Sequence, residues 1–176
     1  LADQMGRIIT PLKTFARKSP AIPAPADLAH AVGAALFLLD QRLAKAGITV
    51  DNRLEAGQYI AWCDQNRLEQ VLINLIRNAG DAMAESPVKT LLIDAAPQAD
   101  GSLELAIADS GCGLPADGAL FEPFFTTKPA GEGLGLGLAI SRDIVREFGG
   151  DLRAENRPEG GARFILNLPA APKESP

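Results

Sequence analysis

Asn74, Asn78 and Asp81 recur at the spacing i, i+4 and i+7, which places all three on one stripe of a helix. An apolar stripe lies about 100° around the same helix, so the polar residues border the buried face, where a cleft can open. Asn is unfavourable inside a helix because its amide competes for backbone hydrogen bonds, and two of them indicate a ligand or a polar partner. An amide oxygen suits Mg²⁺, which completes its shell with water and phosphate oxygens. The stripe therefore predicts a magnesium site, or alternatively an amide network that ties the helix to a neighbouring loop.

A carboxylate follows an apolar, strand-like segment at Asp109, and Ser110-Gly111-Cys112-Gly113 comes directly after it. A carboxylate at a strand end can accept a hydrogen bond from an exocyclic amine such as adenine N6. The two glycines let the backbone turn tightly and come close to a flat ring. Asp-Ser-Gly on its own is most often a simple turn. The motif is therefore consistent with a purine pocket or with a turn.

Four glycines alternate along residues 131–137, directly before a segment with helical spacing. Glycines that lead into a helix N-terminus expose backbone N–H groups and the positive end of the helix dipole, and both suit a polyphosphate. The pattern differs from the dinucleotide-binding fingerprint because no strand directly precedes it. Upstream, Lys128 supplies a cation, and Thr126 and Thr127 supply hydroxyl groups. The loop predicts a phosphate cradle, although a flexible loop before a helix has the same composition.

The segments between these motifs have regular hydrophobic spacing and define the elements that position them. Helices are predicted from Gln65 to about Met83, from Gly135 to Phe148, and to about Ala46 after an Asp27 cap. Strands are predicted at Ile48–Val50, Gln58–Trp62, Val88–Ala95, Leu103–Ala108, Asp151–Glu155 and Ala162–Leu168, the last two as a hairpin. Helices and strands without strict βαβ order predict an α/β two-layer sandwich, with a mixed sheet and helices on one face.

The N-terminal segment has a different pattern. Leu1, Met5, Ile8, Leu12 and Phe15 follow the a/d spacing of a coiled coil, so residues 1–18 are predicted to pack against a partner helix. The alternative is a surface helix docked on its own domain. Three prolines within residues 19–26 favour an extended, semi-stiff linker. The globular domain is therefore predicted to span residues 27–169, with residues 170–176 as a tail.

Composition narrows the class of protein. The chain of 176 residues suits one compact domain with a small appendage, and its net charge of −5 with no basic run argues against nucleic acid as a main partner. Cys63 and Cys112 do not have the spacing of zinc ligands. The simplest interpretation of two such cysteines is a reducing, cytosolic setting. The sequence has no stretch of about 18 apolar residues, which is the length that could span a bilayer. Because residue 1 already lies in a helical pattern, we expect the chain to belong to a longer protein, in which a membrane segment can precede it.

Taken in order, the motifs resemble those of the catalytic ATP-binding domain of two-component sensor histidine kinases. That domain belongs to the GHKL superfamily, which includes gyrase, large heat-shock chaperones and mismatch-repair ATPases. Residues 74–81 resemble the N box of the family, residues 109–113 its first glycine box, residues 121–128 its F box, and residues 133–137 its second glycine box. The resemblance covers residues 27–169. It implies a Bergerat fold, with a mainly antiparallel sheet and three helices on one face, preceded by part of a dimerisation hairpin.

The resemblance also implies ATP and Mg²⁺ as cofactors and a role for each motif. Asn78 would hold Mg²⁺ with support from Asn74, and Asp109 would recognise adenine. The loop from Cys112 to about Leu134 would be the ATP lid, and Phe124 would anchor it. ATPase relatives carry a water-activating Glu at the position of Asn74, and an Asn there fits phosphoryl transfer better than hydrolysis. The other residues implied to bind ATP are Asp81, Gly111, Gly113, Thr126, Thr127, Lys128, Gly133, Leu134, Gly135, Leu136, Gly137 and Leu138.

The phosphoacceptor of the family is a His followed by an acidic residue, with a Pro a few residues later. The only histidine lies in His30-Ala31-Val32, which does not match, so no catalytic residue is expected in these 176 residues. We expect the acceptor His on a separate hairpin helix, from which the phosphoryl group would pass to an Asp of a response regulator.

Residues 5–17 resemble the end of the second hairpin helix, and their sequence is most similar to that of the sensors for C4-dicarboxylates. The resemblance implies a homodimer whose catalytic domain is cytoplasmic, in a protein of the inner (cell) membrane. Two alternatives stay open at this point. One is a stand-alone ATPase or Ser/Thr kinase of the same superfamily, and the other is a non-catalytic module that dimerises through residues 1–18.

Overall fold

The computed structural model describes residues 21–116, 119–128 and 134–172. The predicted helix over residues 1–18 and the predicted site residue Gly133 lie outside these ranges. The elements in chain order are β1 (Ala24–Asp27), α1 (Leu28–Lys45), β2 (Thr49–Asn52), β3 (Ile60–Cys63), α2 (Gln65–Ala82), β4 (Thr90–Pro97), β5 (Leu103–Asp109), α3 (Gly137–Glu147), β6 (Asp151–Asn156) and β7 (Ala162–Leu168).

Five strands form the main sheet in the order β2-β4-β5-β7-β6. Only β2 and β4 are parallel, and the other three pairs are antiparallel. Together with α1, α2 and α3, this arrangement confirms the predicted α/β sandwich with a mixed, mainly antiparallel sheet. The central strand β5 is almost wholly buried and ends at Asp109. Its end therefore lies at the edge of a rigid element, where a functional carboxylate can be held in place.

The proline-rich segment is more structured than a linker. Residues 24–27 form β1, which pairs antiparallel with β3 so that Pro25 lies opposite Trp62 and Ala26 is buried. A proline is tolerated here because β1 is an edge strand and one of its N–H positions needs no partner. The start of the predicted tail is also hydrogen-bonded to strand β3, since the Ala171 N–H donates to the Ile60 carbonyl. The β1–β3 ribbon therefore fastens both ends of the domain.

Helix α2 carries the polar stripe and begins at the predicted cap, where Asp64 Oδ1 accepts a hydrogen bond from the Arg67 N–H. The other oxygen of this carboxylate accepts the Ile22 N–H at 3.1 Å. One face of α2 is fully buried, and Asn74, Asn78 and Asp81 are half-buried beside it. The buried residues of α2 are Leu68, Val71, Leu72, Leu75, Ile76 and Ala79. The core thus fixes α2 and leaves its polar stripe at an accessible edge.

Candidate functional site

Asp109 is one of the most buried polar residues of the domain, with 1% of its surface exposed. Its Oδ1 accepts hydrogen bonds from the Gly111 N–H at 2.8 Å and from the Ala162 N–H at 3.3 Å. Within the described residues no hydrogen bond reaches Oδ2, whereas Oδ1 accepts two. Burial raises the pKa of Asp109, against the opposing effect of the two N–H groups. One oxygen is thus fixed and the other can accept a donor from a ligand.

The glycines around Asp109 are required by close backbone contacts. A Cβ on Gly111 would lie 2.6 Å from the Ala82 carbonyl oxygen, and one on Gly161 would lie 2.0 Å from the Asp109 carbonyl oxygen. The Cys112 N–H also donates to the Ala82 carbonyl at 3.1 Å. The first glycine box therefore packs directly on the end of α2, at a distance that only a residue without a side chain allows.

Two residues at the end of β6 and the start of the β6–β7 turn support the loop after Asp109, and sequence reasoning missed both. Asn156 Oδ1 accepts the Leu114 N–H at 2.7 Å, and a Cβ on Gly113, whose φ is +81°, would lie 2.8 Å from the same oxygen. Arg157 Nη1 donates to the Asp109 carbonyl at 2.8 Å. The β6–β7 turn therefore holds the loop after Asp109 from the opposite side to α2.

Asn74 is engaged at both ends of its amide. Its Nδ2 donates to Ser141 Oγ at 3.0 Å, and its Oδ1 accepts from Arg77 Nη2 at 3.1 Å. Ser141 lies on α3 and is only 2% exposed. A Cβ on Gly137, the first residue of α3, would lie 2.5 Å from Asn74 Oδ1. For Asn74 the structure thus favours the amide network over a ligand contact, and the network positions α3 on α2.

Asn78 and Asp81 meet Lys128 of the F box. The Lys128 ammonium lies 2.5 Å from Asp81 Oδ2 and 3.5 Å from Asn78 Oδ1. The other carboxylate oxygen of Asp81 accepts from Arg42 Nη2 of α1 at 2.6 Å. Burial opposes ionisation of Asp81, but the hydrogen bonds and charges of Lys128 and Arg42 outweigh it and lower its pKa. The predicted residues of the N box and the F box are therefore in direct contact.

Phe124, the predicted anchor of the lid, lies at the surface of the domain, and its role stays a prediction. Its side chain is 69% exposed and its φ is +68°, a backbone conformation rare for a residue with a side chain. Its N–H donates to the Gly135 carbonyl at 2.9 Å, so the two boxes meet through backbone. Phe121 of the same box packs on the core, with the Arg142 guanidinium 4.9 Å from its ring centroid.

The second glycine box leads into α3 as predicted, but the helix begins two residues later, at Gly137. Leu136 stands at the cap position, and among the described residues no side chain caps the first N–H groups of the helix. Leu134, Gly135 and Leu138 are half-buried around this end, whereas Thr126 and Thr127 are exposed. Thr126 Oγ1 accepts the Lys128 N–H at 3.1 Å. The first backbone N–H groups of α3 are therefore left as hydrogen-bond donors at the end of the helix that follows the lid.

The oxygen atoms available around Asn78 fit a magnesium ion that would be bound chiefly through a nucleotide. Within residues 21–116, 119–128 and 134–172, no group of three or more His, Cys, Asp and Glu side chains could hold a metal. Asn78 Oδ1 is a suitable hard oxygen, and phosphate and water oxygens would have to complete the shell. The buried carboxylate of Asp109 likewise suits an amine-bearing base.

The fold and the site define a nucleotide-binding α/β domain. The chain belongs to the family described as "Histidine kinase-, DNA gyrase B-, and HSP90-like ATPase", whose model matches residues 63–172. The resemblance to sensor histidine kinases is thereby confirmed. No helix in the described part of the chain is long and apolar enough to cross a membrane.

Individual relatives agree with this assignment. The two-component sensor PprA of Pseudomonas aeruginosa is 38% identical over 179 residues, which is 98% of this chain and 19% of PprA. The C4-dicarboxylate transport sensor protein DctB of Rhizobium meliloti is 38% identical over 173 residues, which is 97% of this chain and 27% of DctB. The chain therefore spans only a minor part of both sensors. Because the two are equally similar, the C4-dicarboxylate subgroup stays a prediction.

The fold is also that of a solved histidine kinase. The structure of ThkA in complex with the response regulator protein TrrA matches with a TM-score of 0.78 at 26% identity. The match covers 99% of this chain and 50% of that chain. The order of strands and helices described above is thus that of a histidine kinase catalytic domain.

Proposed function

We propose that this domain binds Mg·ATP and presents its γ-phosphoryl group to a histidine on a dimerisation hairpin, for relay to an aspartate of a response regulator. The observation that carries the proposal is Asp109, a buried carboxylate with one oxygen fixed by two backbone N–H groups. Oδ2, which no hydrogen bond reaches within the described residues, would accept the N6 amine of adenine, whereas guanine would bring a carbonyl oxygen to the same place. Gly111 and Gly113 admit the ring.

The triphosphate would extend from Asp109 along α2 towards the uncapped end of α3. Backbone N–H groups at a helix N-terminus bind phosphate oxygens, and Gly135 and Gly137 allow the chain to come close to them. Asn78 would hold Mg²⁺, which neutralises phosphate charge when bound. Asp81 would orient Lys128 towards the phosphates. Leu134, Leu136, Leu138 and the two threonines would line the same region.

Transfer to a protein acceptor is favoured over hydrolysis by the state of Asn74. An amide has no basic group at neutral pH and cannot activate water. Both ends of this amide are also occupied, by Ser141 and Arg77. His30 is exposed in the first turn of α1 and has no acidic residue after it, so it does not fit the acceptor role. The acceptor is therefore assigned to a hairpin helix outside the described residues.

A response regulator is the partner that a relative supports. PprA and DctB are sensors, and ThkA is a histidine kinase solved in complex with the response regulator protein TrrA. By analogy, the domain would serve a response regulator. The homodimer and the place of the domain on the cytoplasmic side of the inner membrane are proposed from the resemblance to sensor histidine kinases.

The test is calorimetric titration of the chain with a non-hydrolysable ATP analogue, with and without Mg²⁺, beside Asp109→Asn. The Asn side chain keeps an Oδ1 acceptor for Gly111 and Ala162 but turns an amide N–H₂ towards the adenine amine. We expect saturable binding that weakens without Mg²⁺ and is lost in the variant, while Asp100→Asn in the exposed β4–β5 turn binds normally. Absence of binding by the folded wild-type chain would refute the proposal and favour the interaction-module alternative.

A further inference from the structure

The Lys128 ammonium lies beside the atom that is proposed to ligate Mg²⁺. It is 3.5 Å from Asn78 Oδ1, and Asp81 Oδ2 holds it there at 2.5 Å. A magnesium ion on Asn78 would stand about 2.1 Å from the same oxygen. The two positive charges would therefore be no more than about 6 Å apart, whatever the direction from which the metal approached.

The local charge balance makes this proximity unfavourable when no nucleotide is present. Asp81 already neutralises only one of its two cationic neighbours, because Arg42 binds its other oxygen at 2.6 Å. A divalent cation on Asn78 would then face an excess of positive charge in a half-buried setting, where repulsion is stronger than in water. The phosphates of a nucleotide reverse this balance, since their oxygens can bind the metal and the ammonium together.

We infer that Lys128 is a specificity-determining residue for the metal–nucleotide complex. Held by Asp81, it keeps a free divalent cation off Asn78, so the metal enters only together with a nucleotide. Asp81 is a positioning residue in this scheme and makes no contact with the metal. The inference rests on the proposed function, because it assumes that Asn78 is the metal ligand and that the phosphates lie beside it.

The experiment uses Mn²⁺ as the probe, and its free concentration is followed by electron paramagnetic resonance in titrations of the nucleotide-free chain. The variants are Lys128→Met, which removes the charge and keeps the length, and Lys128→Arg, which keeps the charge. Lys89→Met is the matched control, since Lys89 Nζ donates only to the Ala84 carbonyl within the described residues. Thermal melting verifies that each variant is folded.

We expect the Lys128→Met chain to bind free Mn²⁺ on the order of tenfold more tightly than the wild type, the Arg variant and the Lys89 control. Adding a non-hydrolysable ATP analogue should raise the Mn²⁺ affinity of the wild type more than that of Lys128→Met. Equal affinities of the wild type and Lys128→Met for free Mn²⁺, including no binding by either, would overturn the inference.

The nucleotide titration separates the two hypotheses. Failure of every variant to bind the analogue would refute the proposed ATP site, whereas binding of the analogue with equal Mn²⁺ affinities would refute only the role of Lys128.

Discussion

Asn74 Nδ2 donates a 3.0 Å hydrogen bond to Ser141 Oγ, and this bond joins the helix that carries Asn78 to the helix that follows the lid. Ser141 is almost fully buried, so the bond is shielded from water. Gly137 packs against the same amide, where a Cβ would be only 2.5 Å from Asn74 Oδ1. The distance between the proposed metal ligand and the proposed phosphate-binding end of α3 is therefore set by a small polar network between α2 and α3.

Replacing Ser141 by Ala should weaken the phosphate half of the site. The substitution leaves Asn74 Nδ2 without its partner in a half-buried position, at a cost of about 1 kcal/mol in the free energy of unfolding. We expect the affinity for ADP to fall by roughly tenfold and the affinity for adenosine to be unchanged, as measured by calorimetry. Ser141→Thr keeps the hydroxyl group and should retain more of the ADP affinity. An equal loss for adenosine would show that the bond supports the whole domain and not the phosphate region.

Replacing Asp109 by Asn should separate stability from binding. The folded-state pKa of Asp109 is raised by burial, so its favourable contribution to stability is complete below the unfolded pKa and is lost as the pH rises through the folded pKa. The Asn variant has no such dependence and keeps an acceptor for both N–H groups.

We therefore expect Asp109→Asn to unfold at an equal or higher urea concentration than the wild type at pH 7, with the difference shrinking or reversing towards pH 4. Urea melts from pH 4 to 8 measure this, and nucleotide binding is measured on the same samples. A difference that is constant with pH would contradict the raised pKa.

The two thiols should differ sharply in reactivity. Cys63 is fully buried in β3, and burial raises its pKa to about 11, so little thiolate is present at pH 8. Cys112 is exposed between the two glycines of the proposed adenine pocket. We expect a disulfide reagent at pH 8 to modify one thiol per native chain, slowed by a bound ATP analogue and abolished by Cys112→Ser. Reaction of both thiols at similar rates in the native chain would contradict the buried position of Cys63.

Much of the fold could be predicted because it depends on short-range patterns. The apolar period of α2 and its Asp64 cap fixed the place of Asn78, and the apolar run of β5 fixed that of Asp109. The segment before α1 was predicted as a linker because prolines favour extended, unpaired chain, whereas strand β1 depends on a partner more than 30 residues away in β3. The sequence did not signal the positive φ of Phe124 or the exposure of its ring, because neither depends on a local pattern of residue types.

The supporting residues of the site could not be predicted, since each acts across a long sequence separation. Ser141 is 67 residues from Asn74, Arg157 is 48 from Asp109, and Asn156 is 42 from Leu114. Ser, Arg and Asn at these positions follow ordinary patterns for a helix and a turn, so nothing local distinguishes them. Their partners become visible only when the sheet places β7 between β5 and β6 and when α3 packs beside α2.

Replacing Asn156 by Ala should weaken the adenine half of the site, in contrast to Ser141→Ala. Asn156 Oδ1 accepts the Leu114 N–H at 2.7 Å and packs against Gly113, so its loss releases the loop that follows Asp109. We expect adenosine and the ATP analogue to lose affinity by a similar factor, on the order of three- to tenfold for one lost hydrogen bond.

Asn156→Asp keeps an acceptor oxygen for the Leu114 N–H and should restore most of the adenosine affinity. Calorimetric titrations of both variants with adenosine and with the ATP analogue make the comparison. A loss confined to the ATP analogue would place Asn156 with the phosphate region and contradict its role beside the base. The two opposite patterns, one for Ser141 and one for Asn156, would then identify which network supports which part of the nucleotide.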